Sequence, residues 1–152
     1  MVSVPDLAER SSRSNFKHFT ASPTRWGDYD MFGHVNNVQF ARYYESGRLE
    51  YFREVLDLGV GPSPEETLII ADINISFLKQ INHPTALEIG SRISRIGTSS
   101  FDFEAAIFAP QSDEPYSTAR ATCVWFDYPA NGSRPVPDAV RCAIQQFEGR
   151  KL

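Results

Sequence analysis

The spacing of apolar residues changes period once along the chain. Phe40, Tyr44, Gly47, Tyr51 and Val55 recur at steps of three and four, the stripe of a helix with one buried face. This predicts a helix from about Asn36 to Asp57. Asn36, with Gln39 three residues on, reads as an asparagine form of the capping box, and Gly59 and Gly61 read as the stop. After the loop GlyProSerProGluGluThr the period falls to two. Over 68–78, Ile69, Ala71, Ile73, Ile75 and Phe77 share one side, and Ile70, Asp72, Asn74 and Ser76 share the other, as in a half-buried strand. Segments 87–96 and 101–108 alternate in the same way. Segment 116–127 is apolar on both parities, so both of its faces are expected to be covered. Residues 16–25 predict a first strand whose end Pro23 weakens, and Val140, Ile144 and Phe147 mark a short helix over 138–147. One strand, a long helix and then four strands joined by short connections predict an α+β domain, an antiparallel sheet packed on one helix. Gly47 lies on the apolar stripe, where glycine costs about 1 kcal/mol relative to alanine, and it predicts a close approach of helix to sheet.

Composition narrows the possible partners. The 152 residues are 41% hydrophobic and 12% aromatic, enough for one core, and their net charge of −4 argues against a dedicated nucleic-acid binder. Cys123 and Cys142 lack metal-ligand spacing and read as free thiols of a reducing, cytoplasmic setting, with no metal site expected. No apolar run approaches a membrane span. Residues 1–15 are polar and Ser/Arg-rich and read as a flexible tail, leaving 16–152 as the folded domain.

The chemistry is gathered in RWGDYDMFGHVNN, residues 25–37. Asp28, Asp30, His34, Asn36 and Asn37 converge on the start of the predicted helix, and Gly33 permits a tight bend between them. A helix N-terminus presents free N–H groups and the positive end of the macrodipole, which favour a developing oxyanion. A carboxylate beside it can act as a general base or as a nucleophile. Of the two aspartates, Asp28 is expected to orient the bend or pair with Arg25.

This run, the TyrTyrGluSerGlyArg that follows it, and the order of one helix then four strands resemble the hotdog-fold acyl-CoA thioesterases. The nearest likeness is to their 4-hydroxybenzoyl-CoA thioesterase-like branch, over about Phe16 to Phe147. The resemblance implies a five-stranded antiparallel sheet wrapped around a long central helix, with a short C-terminal helix. It implies hydrolysis of an acyl-CoA thioester, with coenzyme A as part of the substrate and no other cofactor. Asp30, three residues before the glycine of the bend, takes the position of the family's active aspartate, and the backbone N–H at Asn37 or its neighbour takes that of the oxyanion donor. His34 is the third catalytic candidate. Gly33, Val35, Asn36, Tyr44, Glu45, Lys79, Ser99 and Ser100 are the substrate-binding candidates, with Lys79 and Arg95 suited to phosphates. The resemblance further implies a homodimer with sheets joined edge to edge, often doubled to a tetramer, with active sites at the subunit interface and coenzyme A held largely by the partner chain. Plant acyl-carrier-protein thioesterases share the Asp-x-Asp and His-Val-Asn-Asn elements but carry asparagine at the position of Phe32, so a role for that asparagine does not transfer.

Two other readings compete. A hotdog module that binds an acyl thioester without cleaving it would bind saturably and release no thiol. Hydration of an enoyl thioester is disfavoured for want of the Asp-x-x-x-x-His pairing and the small-residue turn that follows it in hydratase-type hotdog proteins, although Asp30 and His34, four apart, come close to that spacing and keep this reading open.

Overall fold

The computed structural model describes residues 11–58 and 65–152. Its elements are β1 (His18–Ala21), α1 (Asn37–Val55), β2 (Glu66–Phe77), β3 (Glu88–Ile96), β4 (Ser100–Phe108), β5 (Pro115–Asp127), β6 (Gly132–Ser133) and α2 (Asp138–Glu148). The strands form one antiparallel sheet in the order β1-β3-β4-β5-β2, and β6 is a two-residue stub paired with β5. The sheet curls around α1, which is the hotdog architecture the resemblance implies.

Helix α1 begins where the capping signal placed it. Asn36 is the N-cap, and its side chain accepts the Val38 N–H at 3.0 Å. The reciprocal half of the box is not made. The Asn36 N–H donates to the Asp28 carbonyl at 2.8 Å instead, and the buried Gln39 Oε1 has no hydrogen-bond partner among the described residues. The helix ends earlier than predicted, at Val55. Asp57 then takes φ 53°, and the Leu58 N–H returns to the Phe52 carbonyl at 3.1 Å. Asparagine and aspartate are the side chains that best tolerate this left-handed turn. The predicted stop at Gly59 and Gly61 lies outside the described residues.

The close approach inferred from Gly47 is present. A Cβ there would sit 2.6 Å from Ile89 Cγ2 and 3.2 Å from Ser91 Oγ. With that contact made, Tyr43, Tyr44, Tyr51 and Phe52 pack onto Ile89, Ile93, Phe101 and Phe103, and burying each such side chain contributes about 2–3 kcal/mol. Helix α2 closes the far end of the core. Its Glu148 Oε1 accepts the Tyr51 hydroxyl at 2.6 Å and the Ile93 N–H at 2.9 Å.

Three expectations need correction. The first strand covers His18–Ala21 rather than 16–25, because its ladder with β3 stops at Ala21↔Glu88. In β2 a bulge between Ile70 and Asp72 reverses the side-chain parity. Ile70 therefore faces the helix together with Ile73 and Ile75, and Ile69 faces the outer side. Of the tail expected over residues 1–15, residues 1–10 lie outside the described residues, and Ser11–Asn15 are tied to the sheet: Ser11 is buried, and the Arg13 guanidinium lies 4.4 Å over the Phe19 ring and pairs with Glu88. On β5, Cys123 and Trp125 are buried on the helix side, whereas Val124 and Phe126 of the outer face are only half-buried in this chain.

Candidate active site

A short 3-10 turn at Trp26–Asp28 leads into a bend closed by an antiparallel bridge between Tyr29 and Val35. The Gly33 N–H donates to the Asp30 carbonyl at 3.1 Å and the Asp30 N–H to the His34 carbonyl at 3.0 Å. Gly33 has φ 83°, while the space around its Cβ position is open. Backbone conformation, not crowding, therefore selects glycine there. The Val35 N–H is tied to the Ile81 carbonyl at 2.8 Å, which fixes the bend to the segment after β2.

The two aspartates meet different surroundings. Asp28 is 3% exposed and its Oδ2 accepts the Tyr43 hydroxyl at 2.5 Å and the Arg25 N–H at 2.7 Å, with Arg25 Nε 3.5 Å from Oδ1. Burial pushes its carboxyl pKa up, but the hydrogen bonds from Tyr43 and Arg25 and the Arg25 charge outweigh this and hold it below the usual range. Burial, together with the same contact, drives the Tyr43 hydroxyl well above its ordinary value. Asp28 is structural, as its pairing with Arg25 suggested.

Asp30 is partly exposed and opens onto a cleft of about 380 Å³. Its Oδ1 accepts the Phe32 N–H at 2.9 Å, and its Oδ2 accepts the Asn36 amide at 3.3 Å. Asn36 thus caps α1 with its oxygen and orients Asp30 with its nitrogen. Asp30, Phe32, His34, Val35, Asn37, Phe40, Phe77, Leu78, Lys79 and Gln80 line the cleft. Among the described residues, the Asn37 N–H and the His34 ring have no hydrogen-bond partner. The cleft therefore holds a carboxylate, an imidazole and a free helix N-terminal donor beside an apolar floor. That set can activate water and stabilise an oxyanion.

Other candidates stand elsewhere. Tyr44 is 1% exposed and its hydroxyl is bonded to Ser117 Oγ at 2.8 Å, so it belongs to the core behind the cleft rather than to its lining. Glu45 is exposed on α1 away from the cleft, with Arg48 as its electrostatic partner. Lys79 reaches the rim but pairs with Glu114, whose carboxyl it holds below the usual range. Ser99 and Ser100 lie at the β3–β4 turn, where Ser100 pairs with Val124, whereas the cleft sits by Tyr116 at the other end of β5. Within one chain they do not meet Asp30. The cleft residues that sequence reasoning missed are Phe32, Phe40, Phe77, Leu78 and Gln80. Phe40 and Phe77 lie on the apolar stripes of α1 and β2, where periodicity assigns them to the core.

A sequence profile of the Thioesterase-like superfamily matches residues 24–144. The chain is 31% identical over 128 residues to the chloroplastic acyl-acyl carrier protein thioesterase ATL2 of Arabidopsis thaliana, covering 82% of this chain and 66% of that protein. The PA5185 protein of Pseudomonas aeruginosa superposes with a TM-score of 0.82 at 26% identity, over 90% of this chain and 94% of that one. A thioesterase of Thermus thermophilus complexed with coenzyme A and Zn superposes with a TM-score of 0.77 at 27% identity, over 91% and 98%. The profile spans most of the chain and contains the whole bend from Arg25 to Asn37 as well as α1 to β5: the chain belongs to the Thioesterase-like superfamily, and with it to the thioester hydrolases.

Proposed function

We propose that this chain hydrolyses acyl-CoA thioesters to the free acid and coenzyme A, with Asp30 as the acting carboxylate and the first turn of α1 as the oxyanion site. The observation that carries the reading is that Asp30 and Asn37 line one cleft, the Asn37 N–H having no hydrogen-bond partner among the described residues. Asp30 takes a proton from water, and the hydroxide adds to the thioester carbonyl. Its oxygen becomes negative against the Asn37 N–H and the positive end of the helix dipole. Collapse of the tetrahedral adduct breaks the C–S bond, and the thiolate leaves without needing a strong acid. The same carboxylate could instead attack the carbonyl and form an anhydride. A single turnover in ¹⁸O-water tests the second route: protein oxygen enters the first product, and ¹⁸O enters Asp30, when an anhydride is opened by water at the Asp30 carboxyl carbon, whereas general-base attack leaves Asp30 unlabelled. His34 lies on the same cleft wall and is assigned to positioning water or the thioester. The reading takes no metal and no organic cofactor.

A second copy of the chain completes the site in this reading. The free edge of β2 exposes Ile70 and Ile73 at 38% and 42%, and an unpaired edge of this kind favours pairing with another strand. An edge-to-edge homodimer brings Ser99, Ser100 and Arg95 of one chain towards the cleft of the other, where coenzyme A would lie; a dimer of dimers is the further assembly proposed. Two unpaired cysteines accord with a cytoplasmic setting. No helix among the described residues is long and apolar enough to cross a membrane.

The test is thiol release from purified protein over short, long and aromatic acyl-CoAs, with an acyl-carrier-protein thioester as a further arm. Release from acyl-CoA supports the reading. Release from the carrier-protein thioester alone reassigns the carrier, and saturable binding with no release from any of them overturns hydrolysis in favour of a binding module.

A further inference from the structure

We propose that Phe77, packed edge-to-face on Phe40, ends the acyl path of the cleft, so that the site accepts short acyl groups and excludes long ones. The inference rests on the acyl-thioester reading above and adds its substrate class.

The cleft is lined by both polar and apolar groups. Asp30, His34, Asn37, Lys79 and Gln80 supply the polar ones, and Phe32, Val35, Phe40, Phe77 and Leu78 form an apolar floor. An acyl chain whose carbonyl faces Asp30 and Asn37 must lay its alkyl portion on that floor, where apolar burial favours it. Two rings of that floor, Phe40 and Phe77, meet edge to face, with centroids 5.1 Å apart and planes at 87°. They differ in freedom. Phe40 is 4% exposed and is braced by the Tyr43 ring at 6.4 Å, whereas Phe77 is 52% exposed.

What lies behind Phe77 decides the length. Its cross-strand neighbour is Ser117, which is fully buried. Ser117 Oγ accepts the Tyr44 hydroxyl at 2.8 Å and donates to the Ser76 carbonyl at 2.8 Å. An alkyl chain forced past the rings would meet this saturated set of hydrogen bonds and would have to break them without replacing them. The path is closed first by an aromatic contact and then by a polar wall.

Binding is the primary readout, because it does not depend on turnover. Non-hydrolysable thioether analogues of acyl-CoA, from the acetyl to the palmitoyl chain length, are titrated by calorimetry into wild type, Phe77→Ala and Phe77→Leu. Wild type is expected to bind short chains best and to lose affinity beyond a sharp limit. Phe77→Ala should move that limit to longer chains and raise the long-over-short affinity ratio at least about tenfold, the scale of one methylene in an apolar pocket, with Phe77→Leu in between. If both variants change all lengths in proportion, or if wild type already prefers long chains, the inference is overturned. The two readings fail separately. A length shift with no thiol release from the parent acyl-CoAs removes hydrolysis and keeps the stop; thiol release with no length shift removes the stop alone.

Discussion

Asp28 and Asp30 stand two positions apart in one bend and meet different surroundings. Asp28 is enclosed, and its hydrogen bonds come from Tyr43 and from the Arg25 backbone. Asp30 is held only by its own turn, through Phe32, and by the helix cap, through Asn36. The first carboxylate joins the bend to α1; the second is left facing a cleft. A buried carboxylate with several donors is a structural clamp, because its charge is fully committed. A carboxylate fixed in direction yet open to a cavity can still act on a ligand. The lesson is that equal chemistry at positions two apart is divided between stability and reaction by the partners each group meets.

Substitutions can break or sharpen that contrast. Asp28→Ala should cost about 3 kcal/mol in urea unfolding, because two bonds to a charged buried group are lost and the Tyr43 hydroxyl is left unpaired. Thiol release per folded molecule should stay near wild type; a collapse in rate with stability intact would reverse the roles assigned here. Tyr43→Phe removes one of those bonds and should cost about 1.5–2 kcal/mol by the same measurement.

The pH dependence follows from the depressed Asp28 pKa. The unfolded chain carries the ordinary value of 3.8 and the folded chain a lower one. The stability Asp28 supplies is therefore complete above that ordinary value and is lost as pH falls through the folded value. The advantage of wild type over Asp28→Asn should hold from neutral pH down to about 4 and shrink below it; an advantage that grew under acid would contradict the assignment. The smallest effect is expected at Asn36. Asn36→Ala should cost about 1 kcal/mol as a lost cap, and it should also slow thiol release, less than removal of the Asp30 carboxylate does, because the carboxylate loses its orienting amide.

Much of this arrangement was legible in the sequence where the determinants are local. The start of α1 follows from Asn36, whose cap bond reaches only two residues along the chain. The close packing at Gly47 follows from a glycine that helix propensity alone would not choose. Features set by distant partners were not legible. The clamp on Asp28 comes from Tyr43, fifteen residues on, so only its weaker pairing with Arg25 was visible. The bulge in β2 is fixed by its register against β5, and alternation along one strand cannot show it. The C-terminal end of α1 turns on Asp57 in a left-handed conformation, where glycines further on gave the louder signal. Phe40 and Phe77 carry the same apolar pattern as core residues; only their meeting across α1 and β2 turns them into the floor of a cleft.

The central claim is that Asp30 acts on the thioester. Its most direct test is the single-turnover rate of thiol release by Asp30→Asn, measured on the best acyl-CoA at saturating enzyme. The account predicts a fall of at least about a hundredfold, or ~2.7 kcal/mol of transition-state stabilisation, with acyl-CoA affinity and unfolding midpoint close to wild type. A rate within a few fold of wild type would contradict it.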